Sequence, residues 1–157
     1  MATLAELLAS SLAALKQVQQ SGDFTIVKSG ELSPTHLKRL LANHFLMPVI
    51  KGWYIVTDPR AVPGDSTAWY ASFWNFILRY ATERYGKEWC LSAEQSLAIY
   101  SGSTTVPKQV LIRSPKGNNN SLELLPPTSL FNLEAALPSR IDTDNPYRLN
   151  LYPLAEA

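Results

Sequence analysis

ELSPTHLKRLLANHFLMPVIKGWYIVT, residues 31–57, holds a helix and a hairpin back to back. Ser33 stands where a helix N-cap accepts a free amide, and Pro34 follows at the first helical position, where a missing N–H costs nothing. Leu37, Leu40 and Leu41 recur at helical spacing and form the stripe such a helix buries. The pattern then breaks. Met47, Val49 and Ile50 lead to Lys51-Gly52, after which Trp53, Tyr54, Ile55 and Val56 return. Gly52 permits the positive φ of a tight turn, so the second half reads as a two-stranded β-hairpin. A helix followed directly by a hairpin is the layout of a recognition helix followed by a wing.

On the N-terminal side, Leu4, Leu7, Leu8, Leu12, Leu15 and Val18 share one face of a helix over residues 3–20. Thr3 with Glu6 forms a capping box, and Ser21-Gly22 ends the helix. Phe24 to Ser29 reads in two ways. Its β-branched residues favour a strand, whereas a helix-turn-helix would place a short second helix there. On the C-terminal side, Asp58 to Gly64 (DPRAVPG) has two prolines and a glycine and reads as a linker. The expected division is a winged-helix domain over 1–60 and an α+β domain over 61–157.

The second part opens with a helix from Asp65 or Ser66 to Tyr85, stopped by Gly86. Trp69, Phe73, Phe76, Ile77 and Tyr80 make one stripe, and Tyr70 and Trp74 widen it past half the circumference. Such a helix is buried on two sides, and its aromatics are read as core in preference to a stacking platform or ligand pocket. Ser92 with Gln95 caps a further helix to Tyr100. Gln109 to Arg113 and Ser121 to Leu125 read as a hairpin joined by the KGNNN turn. Residues 128–137 read as a short helix stopped by Pro138, and Tyr147 to Tyr152 as a strand of period two. The expected sheet is small and mainly antiparallel, and the fold class is α+β.

Composition narrows the functional classes. The 157 residues carry a net charge of +1, which by itself argues for no partner. Residues 25–60 nevertheless hold Lys28, Lys38, Arg39, Lys51 and Arg60 against Glu31 and Asp58, a net of +3. A single cysteine, Cys90, excludes an intrachain disulfide and suits a reducing cytoplasm; between Trp89 and Leu91 it reads as an inert buried thiol. No apolar run reaches the roughly 18 residues of a membrane span, and the N-terminus lacks the basic region of a secretory signal. His36 and His44 have no cysteine or carboxylate cluster beside them, so no metal site is expected. There is no G-x-S-x-G elbow, and SGSTT at 101–105 lacks the lysine and spacing of a phosphate loop. No catalytic residue and no cofactor is expected.

The candidate binding residues lie on the helix after Ser33. His36, Arg39 and Asn43 fall at i, i+3 and i+7, with Thr35 and Lys38 beside them, and Lys51 tips the hairpin. This mixture of donors suits phosphates and base edges in a major groove. A solvated helix face of the same composition is the plain alternative. The charge is too small for tight non-specific binding, so DNA recognition here calls for a homodimer or base-specific contacts. Lys108, Arg113 and Lys116 flank the KGNNN turn and are read as a solvated loop in preference to a second such surface.

The sequence LSAEQSLAIYSGSTTVPKQVLIRSP resembles the AbiEi family of antitoxin and transcription-regulator proteins. LSPTHLKRLLANHFL, KGWYIVTDP, PGDSTAWYASFWNF, EWCLSAEQSLAIYSG and PKQVLIRSPKGNNN resemble the leader region of long bacterial Fic (cell filamentation) proteins. The likeness covers residues 25–135. It implies a winged-helix DNA-binding regulator in a bacterial toxin-antitoxin or Fic-type system, with an operator duplex and a cognate toxin or Fic domain as partners. Fic catalysis needs the motif His-Pro-Phe-x-x-Gly-Asn-Gly-Arg, and neither His36 nor His44 lies in one, so no nucleotidyl transfer is implied. The alternative is a protein–protein module that precedes or inhibits a toxin without touching DNA. A third reading is a small-molecule sensor using the aromatic helix. A longer parent protein fits the leader resemblance.

Overall fold

The computed structural model describes residues 1–22 and 24–155. Its elements in chain order are α1 (Leu4–Ser21), β1 (Ile26–Lys28), α2 (Pro34–Ala42), β2 (Leu46–Ile50), β3 (Trp53–Val56), α3 (Thr67–Tyr85), β4 (Cys90–Leu91), α4 (Ala93–Tyr100), β5 (Gln109–Ser114), β6 (Asn120–Glu123) and β7 (Ser129–Glu134). The class is α+β. No described helix is long and apolar enough to cross a membrane. The chain forms two compact units, Met1–Ser72 and Phe73–Ala157. The division falls inside α3 and not in the proline-bearing 58–64 segment.

Local chemistry fixes the helix starts. Thr3 Oγ1 accepts from the Glu6 amide at 3.1 Å, Ser33 Oγ from His36 at 3.2 Å and Ser92 Oγ from Gln95 at 3.1 Å, opening α1, α2 and α4. The segment between α1 and α2 is strand β1 followed by a turn, so the ambiguity at Phe24–Ser29 resolves to a strand. The short second helix that a helix-turn-helix would place there does not form. Ile26 and Val27 are fully buried, and a β-branched pair packs better on a pleated surface than on a helix.

The first unit packs α1 and α2 on a three-stranded antiparallel sheet of order β1-β3-β2. Leu15, Val27, Leu32, Leu40 and Leu46 form the cluster between them, with Leu37, Leu41, Tyr54 and Val56 around it. The hairpin turns at Lys51-Gly52, where Gly52 takes φ 85°. α2 ends at Asn43, and His44 takes the left-handed conformation at φ 64°. Phe45 N–H then donates back to Leu40 O at 3.0 Å and His44 N–H to Leu41 O at 3.2 Å, satisfying the last carbonyls.

The second unit holds a mixed sheet of order β4-β5-β7-β6. Val110, Ile112, Leu130 and Asn132 are buried in β5 and β7, as are Phe73, Phe76, Ile77, Tyr80 and Tyr85 along α3. The aromatic helix is therefore core. Two expectations are corrected here. Gln109–Arg113 and Ser121–Leu125 do not pair as a hairpin, because residues 129–134 form strand β7 between them, parallel to β5 and antiparallel to β6. The same strand replaces the short helix expected at 128–137. SLFNLE alternates buried and half-buried positions up to the exposed Glu134, and Asn132 holds its buried place by accepting from Tyr85 OH at 2.7 Å and donating to Tyr80 OH at 3.3 Å. The crossing of the 114–120 connection over β7 requires Gly117, where an added Cβ would lie 2.7 Å from Glu134 N and closer still to the Leu133 carbonyl.

The strand expected at 147–152 reduces to one bridge, Asp142 with Leu151. Its alternation is real, since Leu149 and Leu151 are fully buried. Asn145 folds the segment before it, with Oδ1 accepting from Tyr147 and Leu149 and Nδ2 donating to Leu149 O at 2.8 Å; Arg148 sits at φ 56°. A chain turned this tightly cannot run a ladder. Tyr100 OH donates to Asp142 Oδ2 at 2.7 Å, and Tyr152 N–H to Ser96 Oγ at 2.9 Å, pinning the segment to α4.

Candidate nucleic-acid interface

The candidate surface consists of α2 and the β2–β3 hairpin of the first unit. Its orientation is set by Ser11, a fully buried hydroxyl on the face of α1 that otherwise carries leucines. Arg39 Nη1 donates to Ser11 Oγ at 2.8 Å and to Leu7 O at 3.2 Å. His36 Nδ1 lies 2.8 Å from the same Oγ. Arg39 has only donors, so Ser11 accepts from it and has one proton left. The direction of the Ser11–His36 bond follows the imidazole tautomer, since a serine hydroxyl both donates and accepts.

This arrangement divides the six predicted residues. His36 and Arg39 are half-buried and turned toward α1, so the His36–Arg39–Asn43 stripe is not an open face. Asn43 is exposed, but its Nδ2 folds back to Arg39 O at 2.8 Å and helps finish the helix. Thr35 and Lys38 are exposed on the outward side of α2, and Lys51 is exposed at the hairpin tip. The correction follows from helical geometry. With Arg39 held against α1, residues 35, 38 and 42 rotate outward.

The positive charge of residues 25–60 is largely committed. Lys28 Nζ lies 5.4 Å from the Trp53 ring centroid. Arg60 pairs with Asp58 at 3.2 Å, and its hydrogen bonds hold the Asp58 carboxyl below the usual range. Lys38 and Lys51 meet no carboxylate among the described residues. Ser11 was the residue that spacing alone left out, although a hydroxyl falling on a leucine stripe is the signal of a buried polar contact across a helix pair.

In the second unit, Cys90 is fully buried. Burial pushes its thiol up to about 11, against the opposing Arg113 guanidinium, which makes it a poor nucleophile. Among the described residues no group of three His, Cys, Asp or Glu could hold a metal ion. Compared with known proteins, the chain matches no family model, no curated protein and no solved structure.

Proposed function

We propose that the first unit is a winged-helix DNA-binding module and that the protein is a transcriptional regulator of the antitoxin-like kind. One observation carries the reading. A capped helix leads directly into an antiparallel hairpin, β1 completes the sheet, and the two lysines left without a carboxylate stand outward on that helix and at that hairpin tip. In this reading Thr35 and Lys38 enter a major groove and Lys51 touches a phosphate beside it. Arg39 and His36 are positioning residues that hold α2 on α1. The regulatory and antitoxin part of the proposal draws on the likeness of residues 25–135 to AbiEi and Fic-leader sequences.

The test is a mobility shift with the DNA upstream of the protein's own reading frame, run over a range of salt. Lys38→Ala and Lys51→Ala are each expected to lower the salt slope by about 1, the signature of one lost phosphate contact. Two variants that bind like wild type would sink the proposal. A second reading is a protein–protein module acting on a Fic or nucleotidyltransferase-type toxin. It predicts a stable complex with the neighbouring gene product and no affinity for duplex DNA.

A further inference from the structure

Each of the two sheets has two outer strands, and an outer strand carries amides and carbonyls with no strand beyond it. Three of these four edges are obstructed by identifiable groups. In β1, Thr25 and Ser29 turn toward β3, since Val56 N–H donates to Thr25 O at 2.9 Å and Ser29 N–H to Gly52 O at 2.7 Å. Lys28 therefore turns outward. Its amide donates to Glu31 Oε1 at 2.6 Å and its carbonyl accepts from Glu31 N–H at 3.1 Å. In β2, Thr57 N–H donates to Phe45 O at 2.9 Å, which sets Pro48 outward, and proline has no N–H to offer. In β4, Ser92 N–H donates to Leu111 O at 3.1 Å, so Leu91 turns outward. Its amide donates to Asn150 O at 2.9 Å, and Asn150 Nδ2 donates to Trp89 O at 3.0 Å.

The fourth edge, β6, is different. Leu124 N–H donates to Thr128 O at 3.1 Å and pairs the even-numbered residues of β6 with β7. At the other end Asn119, at φ 58°, donates to Asn132 O at 2.8 Å and forms a bulge. Ser121 and Glu123 therefore turn their main chain outward. Both are exposed, and among the described residues nothing meets those outward amides and carbonyls.

We propose that β6 is a self-pairing edge, at which a second copy of this chain adds its own β6 antiparallel across a two-fold axis beside Leu122. Ser121 of each copy then exchanges main-chain hydrogen bonds with Glu123 of the other, and the two sheets become one. Complementarity selects this occupant and this register. The side chains of Ser121 and Glu123 share a face, so each Ser121 hydroxyl comes opposite a Glu123 carboxylate to which it can donate, and the two carboxylates lie at opposite ends of the pair. The register that opposes Glu123 to its own copy sets like charges face to face. On the other face the half-buried Leu122, beside Leu130, meets its own copy. About four main-chain hydrogen bonds and a leucine pair make a small interface, so the dimer dissociates on dilution. None of this depends on DNA binding.

Sedimentation of the full chain over a dilution series tests the proposal. Wild type is expected at twice the monomer mass at high concentration. Ser121→Glu opposes two carboxylates on each side of the axis, and Ser121→Pro removes the outward donor. Each is expected to raise the dimer Kd at least about tenfold. The double variant Ser121→Glu/Glu123→Lys replaces that repulsion with an opposite-charge pair and is expected within about threefold of wild type. All variants should melt like wild type when dilute, because neither side chain is buried. If Ser121→Pro disturbs folding, the charge-swap pair still decides. A wild type that stays monomeric at its highest soluble concentration overturns the proposal. So does a dimer indifferent to Ser121→Glu, or one that the charge swap does not recover.

Discussion

Ser11 shows how a single hydroxyl governs the candidate surface. It holds Arg39 and His36 at 2.8 Å each, from a fully buried position between two helices. Ser11→Ala leaves a guanidinium and an imidazole short of a partner at a half-buried interface, which costs about 1–3 kcal/mol. Thr35→Ala, on the exposed side of the same helix, is expected to change stability by no more than about 0.5 kcal/mol. Urea denaturation of the two variants checks the contrast, and equal losses would show that Ser11 does not organise the pair. The spacing of His36, Arg39 and Asn43 was legible in the sequence, and the face they occupy was not. Periodicity says which residues share a side of a helix, but the side that turns inward depends here on a partner 25 residues away.

Among the elements, those decided by neighbouring residues were legible and those decided by distant pairing were not. Ser33-Pro34 and Ser92-Gln95 announce helices because a cap is satisfied within one turn. Lys51-Gly52 announces a hairpin because the turn is two residues long. The β5–β6 pairing was misread because two alternating strands look like natural partners until a third competes. That third strand was hidden by Asn132, a polar residue on the buried face, whose acceptance from Tyr85 spans 47 residues. Gly117 is the position that lets the chain pass over β7. Gly117→Ala drives a Cβ into the Leu133–Glu134 backbone, and overpacking of this kind costs about 1–3 kcal/mol or more. A thermal shift of the second unit checks it, and a variant as stable as wild type would show that the crossing relaxes easily.

For the whole molecule, pH dependence should be stronger in alkali than in mild acid. Burial lifts the Cys90 thiol from 9.0 to about 11, and burial with Asp142 lifts the Tyr100 hydroxyl from 10.0 to about 12. A raised pKa stabilises the fold while the group is protonated, so this contribution is complete below about 9 and is lost as pH rises through 9–12. Asp142 behaves oppositely. The Asp144 amide and the Tyr100 hydroxyl hold its carboxyl below the usual range, so its contribution is present above the ordinary carboxylate pKa and disappears as pH falls through the lowered value. Stability measured from pH 7 to 12 should decline beyond pH 9, with Cys90→Ala flattening the first part of the fall and Tyr100→Phe the second. Curves that coincide with wild type would remove these two groups as the cause.

Asn150, which closes the outer edge of β4 with its carbonyl and its side-chain amide, bears on how far assembly can go. A sheet with one adhesive border can only find a mate, whereas a sheet with two can be a link in a chain. Asn150→Ala strips the Trp89 carbonyl of its partner. Light scattering at rising concentration should then reveal species larger than a pair, and a variant that halts at two copies would show that the Leu91 bond alone keeps the border shut. A single asparagine would then mark the line between a molecule that pairs and one that polymerises.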